Sequence, residues 1–155
     1  MQRLLKFLHT MGAIGFMGSL ACLLVLEYLA PPPSFLAGYA LIRGAMGMIT
    51  NWVLFPSFVL TLVPGLLAFV VTPAFQNAGW AWIKALSGIL IFAGGLHVLA
   101  PIQDEARLSA EALAGRLDPA RLEGLSHGTA ATIWVLLVVA TANVVLGVWR
   151  NRLMR

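Results

Sequence analysis

Four long stretches of this chain carry no Asp, Glu, Lys or Arg: residues 7 to 26, 44 to 83, 85 to 103 and 128 to 149. A helix crossing the hydrocarbon core of a bilayer needs about 20 mostly apolar residues, and the four stretches supply four such helices. The chain is 60% hydrophobic and only 10% charged, with a mean hydropathy of +0.89. That composition lies far outside the soluble globular range. The sequence therefore specifies an all-α, integral membrane four-helix bundle, and 155 residues make it a single domain, 1–155. Its principal partner is the lipid bilayer. A net charge of +4 would suggest nucleic acid in a soluble protein. Here the basic residues flank apolar segments and read as topology signals, so no nucleic-acid partner is expected.

The expected helices span about 4–29, 45–71, 79–100 and 129–149. The run from Leu4 to Leu29 is too long for a secretory signal core, and no clean small-residue cleavage pattern follows it. Pro31-Pro32-Pro33 ends the first helix, since proline cannot continue the hydrogen-bond ladder. Residues 34–44 form either an interfacial helix or an early start to the second helix. Pro56 and Pro64 should kink that second helix, with Thr61 or a neighbouring helix satisfying the carbonyls they free. Pro73 ends it, and the tight connection makes the second and third helices antiparallel neighbours. The extramembrane loop 101–128 shows Leu108, Ala112, Leu113 and Leu117 at helical spacing, and Asp118-Pro119 as a cap and first-turn proline. Short amphipathic helices lying on the bilayer surface are the expectation. The lone Cys22 has no internal disulfide partner.

One face of the bundle holds both termini with Arg3, Lys6, Arg150, Arg152 and Arg155. The other holds Arg43, Arg107, Arg116 and Arg121 diluted by the acids of the last loop. By the positive-inside rule the termini are cytoplasmic, in a multi-pass protein of the inner (cytoplasmic) membrane.

Ionisable groups at membrane depth are costly and are functional candidates by default. His9 and Lys84 each lie roughly 7 Å below the terminal face, at 1.5 Å of rise per residue. His97 lies roughly 20 Å deeper than Lys84. It is level with His127, which enters the fourth helix from the far side. Two clusters are thus open: His9 with Lys84, or His97 with His127 and Arg43. Either can hold a haem, whose axial ligands approach one iron. Beside His9, the residues Gly12, Phe16, Ser19 and Cys22 share one stripe, widened by Gly15 and Gly18. A flat porphyrin needs a ligand beside side-chain-free backbone; the ordinary explanation of the same stripe is close helix packing. Lys84 has its own ordinary explanation, snorkelling to the surface. Trp80, Trp82, Trp134 and Trp149 fit an interfacial belt, and Asn143 fits interhelical bonding. No phosphate loop, hydrolytic triad or paired catalytic carboxylates occur.

Three stretches, "LLKFLHTMGAIGFMGSL", "RGAMGMITNWVLFPSFVLTLVPGL" and "GWAWIKALSGILIFAGGLH", together resemble the HemJ type of protoporphyrinogen oxidase. They are also similar to the related CopD-like and uncharacterised four-helix membrane families. The resemblance covers roughly residues 3 to 100. It implies a b-type haem and a haem-dependent oxidoreductase activity. His9 would match the helix 1 haem-associated histidine, and Arg43 and Lys84 the basic residues of the site. Gly12 and Gly15 would line the cofactor, and a quinone or porphyrinogen would be the redox partner. Two other classes stand beside this reading. One is a non-catalytic subunit or assembly factor of a larger membrane complex or homo-oligomer, using the small-residue stripe and "GGLH" as helix contacts. The other is copper handling, for which Met11, Met17, Met46 and Met48 are soft ligands without a tight cluster.

Overall fold

The computed structural model describes residues 2–77, 79–123, 125 and 128–148. Among these the chain is all-helical, and four helices are long and apolar enough to cross a membrane: α1 (Gln2–Leu29), α2 (Leu36–Val70), α3 (Gly79–Leu113) and α4 (Thr129–Val148). A short helix, Pro73–Gln76, joins α2 to α3, and a 3₁₀ turn, Pro119–Leu122, lies between α3 and α4. α1 packs along the second half of α2, α3 runs back beside α2, and α4 closes the bundle against α3 and α1.

α1 stops where expected, at Leu29, because the residue before Pro31 is steered out of the helical region. The segment 34–44 is the early start of α2. Tyr39, Ala40, Arg43, Met46, Gly47, Thr50, Leu54 and Phe58 are buried at steps of one, three or four, one continuous inward face. Arg43 lies on that face, which is why a helix boundary read from the uncharged window came too late. Before Pro56 the chain widens into a π-turn, Thr50–Leu54, in which the Phe55 N–H reaches the Thr50 carbonyl. The ring of Pro56 would crowd the Trp52 carbonyl of a regular α-turn, and the wider turn makes room for it. Pro64 is carried inside the helix. The Thr61 hydroxyl bonds the Ser57 carbonyl at 2.8 Å.

The larger departure is α3. It was expected to end near residue 100, with separate helices lying on the surface. It instead continues unbroken through Pro101 to Leu113. Ile102, Glu105, Ser109 and Ala112 are buried at helical spacing against the first turns of α2. Gln103 donates to the Gly47 carbonyl at 3.0 Å. Of the expected stripe, Leu108, Ala112 and Leu117 pack inward and only Leu113 is exposed. Gly115, at φ +72°, closes the helix. Its N–H meets the Ala112 carbonyl at 3.0 Å while Arg116 N–H meets that of Glu111 at 2.9 Å, a left-handed C-cap that favours glycine. The Asp118 cap forms as expected, accepting from Ala120 N–H at 3.1 Å.

α2 and α3 each have 35 residues, so each is about 52 Å long against a hydrocarbon core of ~30 Å. The start of α2 and the end of α3 form a paired extension at one end of the bundle, with Tyr39, Ala112 and Leu122 as its own small apolar cluster. The main core is lower. There Phe16, Phe58 and Phe92 from three helices stack at 5.1 Å and 5.0 Å between centroids, with Leu136 and Ile133 from α4 beside them.

Candidate functional site

His9 stands about two turns inside α1 and turns its ring into α2. Its Nδ1 lies 2.6 Å from the Thr61 carbonyl oxygen. A carbonyl only accepts, so Nδ1 carries the proton and donates, which leaves Nε2 as the lone-pair nitrogen of the neutral ring. The carbonyl belongs to the turn that Pro64 interrupts. One turn on, Gly65 makes room for the imidazole: a Cβ there would lie 2.9 Å from Nδ1 and 3.1 Å from Cε1. Glycine in α2 thus shapes the seat of a histidine from α1.

Lys84 of α3 is half-buried at the same end of the bundle, within Coulombic reach of His9. Its Nζ lies 2.6 Å from where a Cβ on Gly147 of α4 would stand, so the absent side chain of Gly147 leaves the space for the ammonium. One turn further in, the Ser87 hydroxyl lies 3.0 Å from both the Lys84 carbonyl and Asn143 Oδ1, tying α3 to α4. Helix rise put His9 and Lys84 at one depth, and the fold brings them to one end. All four helices contribute polar groups at this end: His9 from α1, Thr61 from α2, Lys84 and Ser87 from α3 and Asn143 from α4.

The glycine stripe has a different role from the one a porphyrin would need. A Cβ at Gly12 would fall 2.6 Å from Thr61 N and 2.7 Å from both the Leu60 carbonyl carbon and the Ser57 oxygen. At Gly15 it would collide with the Ser57 side chain. Both glycines are spent on letting α1 lie directly on the backbone of α2. Gly18, expected to face protein or cofactor, is exposed with nothing within 4 Å. "GGLH" is likewise an internal contact: a Cβ at Gly94 would stand 3.3 Å from Leu136, and one at Gly95 3.3 Å from the Phe58 ring. Apart from Gly18, these glycines meet neighbours within the bundle.

The second cluster does not assemble around histidine. His97 is exposed, with Nδ1 3.1 Å from the Ala93 carbonyl of its own helix. His127 lies outside the described residues. Arg43 is engaged elsewhere. Its NH1 contacts Glu27 Oε2 at 2.5 Å, its Nε faces Glu105 Oε2 at 3.1 Å, and its guanidinium stacks 5.0 Å from the Tyr39 ring centroid. NH1 also reaches Met46 Sδ at 3.5 Å, while Met11 and Met48 are exposed. Arg43 and Lys84 therefore serve opposite ends of the bundle. Glu27 and His9 are eighteen residues apart on α1, about 27 Å along the axis. Among the described residues no group of three His, Cys, Asp or Glu side chains gathers as a metal site.

The sequence reading passed over Glu27 and left Glu105 as a loop acid. The signal for Glu27 was present: it is an acid inside a helix already assigned to the membrane. Nothing local marks Glu105, because its burial follows from the long-range pairing of α3 with α2. Comparison with protein-family models, curated proteins and solved structures finds no match to this chain, so the likeness to HemJ-type and CopD-like proteins rests on the quoted residues.

Proposed function

We propose that the chain is a b-type haem protein of the cytoplasmic membrane with a redox role, its termini on the cytoplasmic side. One observation supports this above the others: the His9 Nδ1–H is committed to the Thr61 carbonyl, so Nε2 is presented for a ligand. A metal-bound imidazole almost always has its other ring nitrogen fixed in this way, which sets the tautomer and raises ligand basicity. A haem at this end would be held by His9 through Nε2. Lys84 fits as the cation for a propionate or as a second ligand. Gly12 and Gly15 do not line the group, because α2 occupies their space. A bound haem would supply one-electron chemistry. The chain's own contribution is to seat the imidazole, hold a positive charge beside it and keep water out with apolar walls.

The test is a reduced-minus-oxidised absorbance spectrum of the purified full chain and its variants. His9→Ala should abolish haem content or reduce it at least tenfold. Lys84→Ala should shift the bands or lower occupancy. His97→Ala should leave the spectrum unchanged, since that ring is roughly 20 Å from the Lys84 level. A colourless wild type ends the haem reading and favours a non-catalytic membrane subunit. Reporter fusions after residue 148 test the orientation, and an external C-terminus would reverse it.

A further inference from the structure

The paired extension of α2 and α3 contains a group of charges that does not balance. One guanidinium, Arg43, meets two carboxylates, Glu27 from α1 and Glu105 from α3. Arg43 and Glu105 are 3% and 2% exposed, and the Glu27 side chain is 10% exposed. Fully ionised, the trio carries one uncompensated negative charge away from water, an arrangement strongly disfavoured unless a further positive partner is bound.

The hydrogen bonding shows where that partner belongs. Glu27 takes the aligned donors: NH1 at 2.5 Å and NH2 at 3.5 Å. Glu105 takes none. The Arg43 Nε lies 3.1 Å from its Oε2, but the N–H is not directed at it, and neither Glu105 oxygen accepts a hydrogen bond. A second group lies at the same place. The Tyr39 hydroxyl is buried beside Arg43 and within Coulombic reach of Glu105 and Glu27, and it makes no well-formed hydrogen bond. A carboxylate is acceptor-only, whereas a carboxylic acid brings an O–H of its own to such a pocket.

We propose that Glu27, Arg43 and Glu105 form a proton-binding site, in which Glu105 holds one exchangeable proton at neutral pH and Glu27 remains the ionised partner of Arg43. The step is a simple association: a carboxylate oxygen of Glu105 takes a proton from water at the rim, and the trio becomes neutral. No electrons move. Glu27, the least buried member, is the way in. The other elements packed here add no competing charge. α3 turns Asp104, Arg107 and Glu111 outward, where Arg107 pairs with both acids at 3.3 Å. The 3₁₀ turn contributes Leu122, with Asp118, Arg121 and Glu123 exposed. The site is independent of any haem at the opposite end of the bundle.

Infrared spectroscopy of the purified full chain in detergent at neutral pH tests this. Exposed carboxyl groups, with ordinary pKa values of about 4, are ionised there and give no neutral C=O band. The wild type should show one neutral carboxyl band that shifts down in deuterated buffer. Glu105→Gln should remove it. Glu27→Gln should remove it as well, because one carboxylate is then left for one guanidinium and ionises. Asp118→Asn should leave it unchanged. Absence of the band from the wild type overturns the proposal, a result that needs no variant to fold. Persistence of the band in either glutamine variant overturns it equally, so the two variants stand in for one another if one misfolds.

Discussion

Replacing Gly12 with alanine should cost about 1–3 kcal/mol of stability, and replacing it with leucine should abolish a folded, monodisperse protein. The three atoms a Cβ would strike belong to the backbone of α2, at 2.6 to 2.7 Å. A flexible side chain can rotate away from such a clash, but a helix backbone has to translate as a unit. Moving α2 away from α1 also moves the Thr61 carbonyl, because the Thr61 nitrogen is one of the atoms struck. The Gly12 variants should therefore weaken the His9 hydrogen bond along with the packing. Gly15→Ala should be milder, since the Ser57 side chain can adjust. Gly18→Ala should change stability by no more than ~0.5 kcal/mol, having open space around it. Thermal unfolding of the three alanine variants in one detergent, followed by helical signal and size-exclusion profile, ranks them. A Gly12→Ala protein as stable as the wild type would show that α1 and α2 do not meet on their backbones.

Arg43→Gln should destabilise the protein by ~3–5 kcal/mol, the range for removing one member of a buried ion pair and stranding its counter-charge. The Glu27 carboxylate from α1 and the protonated Glu105 from α3 would then face one another without the guanidinium between them. The stacking on Tyr39 would be lost too. The damage should lie in the charge balance rather than in missing volume. Combining Arg43→Gln with Glu27→Gln and Glu105→Gln should accordingly recover much of the loss, since neutral amides can bond one another. The comparison is made on unfolding midpoints of the single and triple variants. A single variant that unfolds like the wild type would mean that the charges are not buried together. Failure of the triple variant to recover would assign the loss to packing.

The sequence by itself determined the all-helical class and the number of helices long and apolar enough to span a membrane. Four uncharged stretches of membrane length leave an apolar chain no other way to bury its backbone polar groups than four helices. Those four helices are present and are long and apolar enough to span. Local chemistry that acts over one or two turns was also legible: Pro31 ending α1, the Asp118 cap, and His9 level with Lys84. Charge was a poor guide to boundaries. Reading Arg43 and Glu105 as solvated ends shortened α2 and α3, because a charge looks like a terminus until its counter-charge is known. The counter-charges lie 16 residues away in one case and 62 in the other, and only the packing of α1 and α3 against α2 brings them together. Glycine was ambiguous for the same reason. A stripe of missing side chains describes a hollow on one helix, and whether a cofactor or another backbone fills it depends on the neighbour. At Gly12 the tertiary structure filled it with α2, and the same contact that closed the hollow turned the His9 ring toward a carbonyl and left Nε2 as its lone-pair nitrogen.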